Sequence, residues 1–290
     1  MIVQILLNSF IAAAEIALIG IAFALIYQTA KFIHFAQAAT ISLGAYITYG
    51  LYTEFDHPLI LAVLAAIIVC SFFGALSEIW IFRPLRKRDA SSSILLLASL
   101  GLFITLLNII SLSFGDNVLS FADPDVKQGI DIMGARLSPI RGLIFGISIV
   151  TLFGASIWLK YTHTGKQTRA VSSNLELAEV CGIKVDRIIL IAFVISSALS
   201  GFVGVLLSLD TGMRPLMGVG PLIAGIVAVI VAGGAGIWAI GVVAILIAGL
   251  QQLSIWYLGT QWHEVTTFLI LLLLLIFKPK GLFFRTDAPV

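Results

Sequence analysis

A chain of 290 residues with 60% hydrophobic and only 11% charged residues is too apolar for a soluble domain, because soluble domains carry about 25% charged residues. Its mean hydropathy of +1.10 and its repeated apolar stretches of about 18 residues or more predict a protein that crosses a membrane several times. The net charge of +2 does not indicate a nucleic-acid partner, because membrane topology accounts for the basic residues. The two cysteines, Cys70 and Cys181, are predicted at different depths, so no disulfide is expected.

Apolar segments follow one another along the whole chain and predict an all-α fold with about eight to ten transmembrane helices. Segment 34–52 carries more polar side chains than a lipid-facing helix usually does, so it is either a span or a broken, re-entrant element enclosed by protein. Glu78, near the end of the third span, is expected to pair with nearby basic residues. The candidate spans are, in chain order, 5–29, 34–52, 59–81, 93–113, 142–159, 188–209, 221–235, 237–258 and 265–277.

Basic residues cluster in alternate connections between these spans. One group follows the third span, a second flanks or lies in segment 160–187, and a third follows the last span. By the positive-inside rule these connections are cytoplasmic, which predicts an external amino terminus and a cytoplasmic carboxyl terminus. No basic stretch and no small-residue cleavage pattern precedes the first span, so we expect it to be a retained helix.

Residues that usually carry membrane-enzyme chemistry are scattered along the sequence. Each of the four histidines stands alone, and the sequence contains no H-E-x-x-H, paired Cys/His or G-x-S-x-G motif. A phosphate-binding G-x-x-x-x-G-K-[ST] loop is absent as well. We therefore predict a non-catalytic chain with no metal or cofactor of its own, so that an ATP-driven step would need a separate ATPase.

A few polar groups within the spans are candidates for a translocation pathway. Glu15 lies near the middle of the first span, where a carboxylate is costly; it lines a pathway, contacts a substrate ammonium or hydrogen-bonds a neighbouring helix. Gln28, Thr105 and Asn108 either belong to such a pathway or hold helices together. The glycine-rich segment 221–241 presents the same choice between a substrate path and close helix packing.

The segment 160–187 is polar and charged, and the run Ser173-Asn174-Leu175-Glu176 within it predicts a short helix. Ser173 would cap the start of this helix, with Glu176 returning the bond in a capping box, and Gly182 would end it. A helix of about two turns does not persist alone in water. It therefore needs a docking surface.

The two faces of this short helix are predicted to have different roles. One face would attach it to the rest of the chain through Leu177, Val180 and Cys181. The other would present Glu176 and Glu179 to a partner protein. The alternative is an ordinary solvated turn.

The longest external connection, 114–141, is too short for a domain and too polar for a span. Its Asp-Pro and Ser-Pro pairs predict turns. It either forms part of a platform for an extracellular partner or simply connects two helices.

Short motifs are spaced along nearly the whole chain. They are G-I-A-F-A-L-I-Y at 20–27, F-I-H-F-A-Q-A-A-T-I-S-L-G-A-Y at 32–46, R-P-L-R at 83–86, L-L-L-A-S-L-G-L at 95–102, T-G-K-Q-T-R-A at 164–170, L-A-E-V-C-G-I at 177–183, A-G-G-A-G at 232–236 and K-P-K-G-L-F at 278–283. In this order they resemble the LivH-type permease subunits of branched-chain amino-acid ABC importers, within the wider hydrophobic amino-acid and urea uptake group.

The resemblance implies half of a type II-like ABC importer, a single permease domain over 1–290 in the inner (plasma) membrane of a bacterium. The implied cargo is a branched-chain or other neutral, hydrophobic amino acid. The implied partners are a second permease, LivM-like or identical, two cytoplasmic ATPases that bind ATP and Mg, and an external solute-binding protein. The ATPases would contact the neighbourhood of the short helix at Arg169, Asn174, Leu175, Glu176, Leu177, Glu179, Val180 and Gly182. The pathway would include Glu15, Gln28, His34, Gln37, Ser42, Ser99, Thr105, Asn108, Gly233 and Gly234.

Two departures from the family pattern bear on the cargo. Where N-F-A-H-G is common, this chain has His34, Gln37 and Ala38, and Glu15 stands where a small or hydroxyl residue is usual. These departures leave the exact substrate open. Urea or a short amide is an alternative cargo, because apolar walls with sparse hydroxyl groups do not exclude it. A stand-alone secondary transporter or channel is an alternative of another class, which would need a group of ion-coupling residues at the midplane.

Overall fold

The computed structural model describes residues 2–121, 130–132, 135–233, 236–278 and 282–283. Within these ranges the chain forms α-helices and one short antiparallel hairpin. The helices are α1 Ile2–Ala30, α2 Gln37–Tyr49, α3 Leu59–Ser77, α4 Arg83–Arg86, α5 Ser92–Phe114, α6 Pro139–Tyr161, α7 His163–Ser173, α8 Leu175–Val180, α9 Val185–Thr211, α10 Val219–Ala232, α11 Ile237–Leu258 and α12 His263–Phe277. The strands are β1 Ile130–Ile132 and β2 Ala135–Leu137. Between helices lie π-helical turns at Gly50–Glu54 and Glu78–Phe82 and 3₁₀ turns at Pro215–Gly218 and Thr260–Trp262.

Seven helical segments in the described ranges are long and apolar enough to cross a bilayer. They are Ile2–Ala30, Leu59–Arg86, Ser92–Phe114, Pro139–Tyr161, Val185–Thr211, Pro215–Ala232 and Ile237–Leu258. The predicted all-α membrane fold is confirmed, and each predicted span contains a helix. The two remaining predicted spans correspond to α2 and α12, which are shorter, with 13 and 15 residues.

Among the local elements that were not predicted are a hairpin and the helix α7. The hairpin of β1 and β2 lies within the connection 114–141, where residues 122–129 and 133–134 are outside the described residues. The helix α7 occupies the first half of the polar segment 160–187. Both elements are short, and neither carries the apolar repeat on which the other predictions depended.

The described residues divide into two compact units. One unit contains the described parts of 22–122 and 154–219, and we call it the α2–α9 unit. The other contains the described parts of 1–21, 123–153 and 220–290. That the whole chain acts as one domain stays a prediction.

Glycines let the backbone of α2 lie directly against α9 in the α2–α9 unit. A Cβ added to Gly44 would lie 2.2 Å from the carbonyl oxygen of Gly201, and one added to Gly204 would lie 1.8 Å from that of Ile41. α3 packs against both helices, and the thiol of Cys70 donates a hydrogen bond to the carbonyl oxygen of Thr40 at 3.7 Å. Small residues at helix contacts are the usual way in which membrane helices approach closely.

The second unit joins the start of α1 to α10 and pairs α11 with α12. Gly225 of α10 is so close to α1 that a Cβ there would lie 2.7 Å from a methyl carbon of Ile19. Gln251 of α11 donates through Nε2 to Oγ1 of Thr267 in α12 at 2.6 Å. Both side chains are buried, so this hydrogen bond satisfies polar groups that lipid could not.

We predict that Gly204→Ala disrupts the packing of α2 on α9. The added methyl group meets backbone atoms, which cannot rotate away, so the loss of stability should be about 2–3 kcal/mol or more. Thermal unfolding and size-exclusion chromatography of the purified chain would measure it. Gly101→Ala is the matched control, because Gly101 has nothing within 4 Å of an added Cβ. Equal stability of the two variants would contradict the packing described here.

Candidate functional site

The short helix α8 is closed at both ends by local hydrogen bonds. Asn174 is extended, with φ −153° and ψ 114°, and its Oδ1 accepts from the amide of Leu177 at 3.0 Å. At the other end Gly182 has φ +81°, its amide donates to the carbonyl of Glu179 at 2.8 Å, and the amide of Ile183 donates to that of Ala178 at 3.0 Å. This pair of bonds is a Schellman motif. The predicted stop at Gly182 is confirmed.

The predicted capping box is wrong by one residue. Ser173 is the last residue of α7, and Asn174 ends α7 and begins α8. Asn174 takes the cap because the chain leaves the helical conformation there, between two helices. The helix α7 begins at a similar cap, in which Thr162 Oγ1 accepts from the amide of Gly165 at 3.0 Å. The hydroxyl of Thr162 was the feature of the sequence that could have predicted it.

The predicted orientation of α8 is also wrong. Its attached face carries Leu175 and Ala178, which pack into a buried apolar cluster together with residues of α1, α5, α7 and α9. Leu177 is 61% exposed and Val180 is 86% exposed, and Cys181 is exposed too. Residues three apart share a helix face. Because Leu175 and Ala178 occupy the buried face, Leu177 and Val180 lie on the exposed one.

The outward side of α8 therefore combines aliphatic and acidic side chains. Glu176 and Glu179 are exposed beside Leu177 and Val180. Arg169 of α7 is exposed as well, and its Nη2 donates to the carbonyl oxygen of Lys160 at 3.3 Å. Exposed aliphatic side chains beside charged ones form an apolar patch with a polar rim, which is typical of a contact site for another protein.

Ionic side chains connect the end of α3 with the start of α9, directly after α8. Glu78 is fully buried, and Arg86 binds both of its carboxylate oxygens, one of them at 2.9 Å. Asp186 accepts from Arg83 at 2.8 Å from Nε and 2.7 Å from Nη2, and one nitrogen of Arg86 lies 3.8 Å from it. We call these four residues the Asp186 network. The predicted pairing of Glu78 is confirmed.

Four of the candidate pathway residues are buried inside the α2–α9 unit, and Gln37 is one of them. Gln37 is 1% exposed, and its Nε2 donates to the hydroxyls of Ser196 at 3.1 Å and Ser200 at 2.7 Å. Ser196 in turn donates to the carbonyl oxygen of Ala22 at 2.6 Å. Gln37 thus connects α2 to α9 and, through Ser196, to α1.

His34, Ser42 and Ser99 are likewise buried. His34 lies among three phenylalanines, with ring centroids 5.0, 5.2 and 5.9 Å away, at Phe82, Phe193 and Phe32. Ser42 donates to the carbonyl oxygen of Pro215 at 2.6 Å, and Ser99 accepts from the amide of Phe35 at 3.1 Å. In these positions the side chains hold elements of one unit together.

The other candidate pathway residues in the described part of the chain are not fully buried. Thr105 and Asn108 are exposed on α5 and donate to carbonyls of their own helix at 2.8 and 2.7 Å. Gln28 accepts from Ser172, and Glu15 is half-buried. Gly233 follows α10 with φ +65°, and Gly234 is outside the described residues. No measurement here tests the pathway, so it stays a prediction. In the described part of the chain no three His, Cys, Asp or Glu side chains are placed to hold a metal ion.

The multi-pass helical fold and the projecting capped helix are those of a transport permease. The family described as the branched-chain amino acid transport system / permease component matches residues 5–277, and the chain belongs to it. It is the permease subunit of an ATP-binding-cassette importer.

Relatives match over almost the full length. The chain is similar to the LivH high-affinity branched-chain amino acid permeases of Escherichia coli K12, at 28% identity, and Salmonella typhimurium, at 26%, over 98% of this chain and 96% of each relative. BraD of Pseudomonas aeruginosa is 28% identical over the same shares. A structure of PsaBC from Streptococcus pneumoniae in complex with Fab has a TM-score of 0.56 at 11% identity, covering 96% of this chain and 91% of that chain. This likeness confirms the type II-like importer fold.

We predict that Asn174→Ala weakens α8, whereas Ser173→Ala does not. The first change removes the acceptor that caps the amide of Leu177, which should cost about 1 kcal/mol. Amide hydrogen exchange over 175–180 would measure it as faster exchange. Equal protection in the two variants would contradict the assignment of Asn174 as the cap.

Proposed function

We propose that the chain forms one half of the pathway through which an ABC importer takes up branched-chain or similar neutral, hydrophobic amino acids. The observation that carries the proposal is the end-to-end similarity to permeases named for branched-chain amino acid transport in three bacteria. Apolar spans with a few hydroxyl and amide groups suit a small solute with a zwitterionic head and an aliphatic side chain.

The chain works with three other kinds of component in this proposal. A second permease, identical or LivM-like, supplies the other half of the pathway. Two cytoplasmic ATPases bind ATP and Mg and hydrolyse the nucleotide, so this subunit holds no cofactor. An external solute-binding protein delivers the amino acid and selects it.

The outward side of α8 is the contact with the ATPase. Leu177 and Val180 are apolar side chains that water surrounds in the isolated chain, and fully burying such a side chain is worth about 1.5–3 kcal/mol. Glu176 and Glu179 lie beside them and orient the contact by pairing with basic groups of the partner. The inner pair, Leu175 and Ala178, holds the helix on the permease.

The chain lies in the inner membrane with its amino terminus outside. This orientation places α8 and the Asp186 network in the cytoplasm, where ATP is available. Thr105 and Asn108 lie on an exposed side of α5 and are the first candidates to contact solute, because polar groups exposed within a span are costly in lipid.

Reconstituted vesicles test the function. The complete transporter should import leucine only when ATP is inside and the solute-binding protein outside. Uptake of urea or a short amide in place of leucine would identify the alternative cargo. Flux through the purified chain alone, without ATP, would instead identify a stand-alone transporter.

We predict that Val180→Asp uncouples the ATPase from the permease while leaving insertion in the membrane unchanged. The new carboxylate would have to be buried in the contact, which should weaken ATPase binding by about 2 kcal/mol or more. Stimulation of ATP hydrolysis by the loaded solute-binding protein measures it. Val180→Leu is the control, because it keeps an apolar side chain. Full stimulation in Val180→Asp would rule out this contact.

A further inference from the structure

If a partner pushes on α8, the way in which α8 is attached decides whether the membrane helices move with it. It is only six residues long, and a non-helical junction stands at each end, Asn174 in extended conformation and Gly182 with φ +81°. Apart from the apolar contacts of Leu175 and Ala178, nothing within α8 itself prevents it from turning about these two junctions. A push on α8 would then bend the chain at the junctions and would not move the membrane helices.

Polar links outside both junctions remove this freedom. Before Asn174, the carbonyl oxygen of Ser172 accepts from Lys31 Nζ at 2.7 Å, and the hydroxyl of Ser172 donates to Gln28 Oε1 at 3.2 Å. We call these two hydrogen bonds the Ser172 link. Gln28 lies in the last turn of α1 and Lys31 directly follows it. The upstream junction is therefore fastened to the end of α1.

The Asp186 network fastens the downstream junction. Asp186 lies four residues after Gly182, in the first turn of α9, and its partners Arg83 and Arg86 follow the end of α3. Arg86 is in turn held by Glu78, which is fully buried. The partly exposed ion pair of Asp186 with Arg83 is thus connected, through Arg86, to the buried carboxylate of Glu78.

We propose that the Ser172 link and the Asp186 network mount α8 rigidly on the α2–α9 unit, so that Lys31 and Asp186 are positioning residues for energy coupling. The assignment rests on the proposed function of α8 as the ATPase contact. Through these links motion of α8 reaches the ends of α1 and α3, and both α2 and α3 lie against the backbone of α9. The unit then moves as one body when the ATPases close.

The conformation of Lys31 separates coupling from stability. Lys31 has φ +59°, in the left-handed region that favours glycine. Lys31→Gly therefore relieves backbone strain while it removes the link to Ser172. If Lys31 only stabilised the fold, Lys31→Gly would leave the coupling of ATP hydrolysis to transport unchanged.

A spin label at Cys181 tests the mounting without any assumption about cargo. Cys181 is exposed at the end of α8, whereas the second cysteine, Cys70, is buried, so the native chain can be labelled at one site. In the full chain in lipid nanodiscs, Lys31→Gly and Asp186→Asn should each increase label mobility. Arg88→Gln is the control, because Arg88 is exposed and outside the network. Unchanged mobility in both test variants would overturn the proposal.

The same variants in the complete transporter test coupling. The leucine imported per ATP hydrolysed should fall about threefold or more in each test variant, which is the range expected for partly exposed ion pairs and hydrogen bonds. Asp186→Glu should restore the ratio, and the amount of assembled transporter should not change. A wild-type transporter that imports no amino acid would refute the proposed function alone, since the label still reports the mounting. Wild-type ratios in Lys31→Gly and Asp186→Asn would refute the coupling role.

Discussion

The direct backbone contact between α2 and α9 is the interaction on which the rest of the α2–α9 unit depends. Lipid offers no hydrophobic force to bring helices together, so helix association in a membrane relies on close packing and buried hydrogen bonds. Gly44, Gly201 and Gly204 supply the close packing. Gln37 supplies the hydrogen bonds, to two serines of α9. Because α9 begins directly after α8, the same contact determines where the short helix projects.

The two sides of α8 show how a very short helix can persist in a chain of long spans. Its capping bonds satisfy the amides and carbonyls at its ends, but six residues are far fewer than the roughly 12–15 needed for stability in isolation. The remaining stabilisation comes from Leu175 and Ala178 in the apolar cluster. Leu177 and Val180 lie on the other side of the helix, where they are exposed and can contact a partner.

The sequence predicted a structural feature correctly where a residue type occurs in proteins mainly for that one feature. Runs of apolar residues predicted the spans, and Gly182 predicted the end of α8, because a left-handed residue there is nearly always glycine. The cap was predicted wrongly because Ser173 and Asn174 are both good capping residues, and the choice depends on where the unpredicted α7 ends. The attached face was predicted wrongly because both sides of α8 carry aliphatic residues. Contacts such as Arg83 with Asp186, 103 residues apart in the chain, have no local pattern in the sequence that could predict them.

The positions of His34 and Gln37 also bear on the cargo. Both depart from the N-F-A-H-G pattern of the resemblance, and in sequence this left the exact substrate open. In the structure each is 1% exposed, His34 among phenylalanine rings and Gln37 bonded to α9. Substitutions at buried helix contacts change packing first, because a new side chain must fit among its neighbours, although the Nδ1 of His34 and the Oε1 of Gln37 have no hydrogen-bond partner in the described part of the chain. These two departures therefore give no physical reason to prefer urea or a short amide over an amino acid. In the proposed function, the groups that would discriminate between cargoes are the exposed polar side chains of the spans, such as Thr105 and Asn108, together with the solute-binding protein.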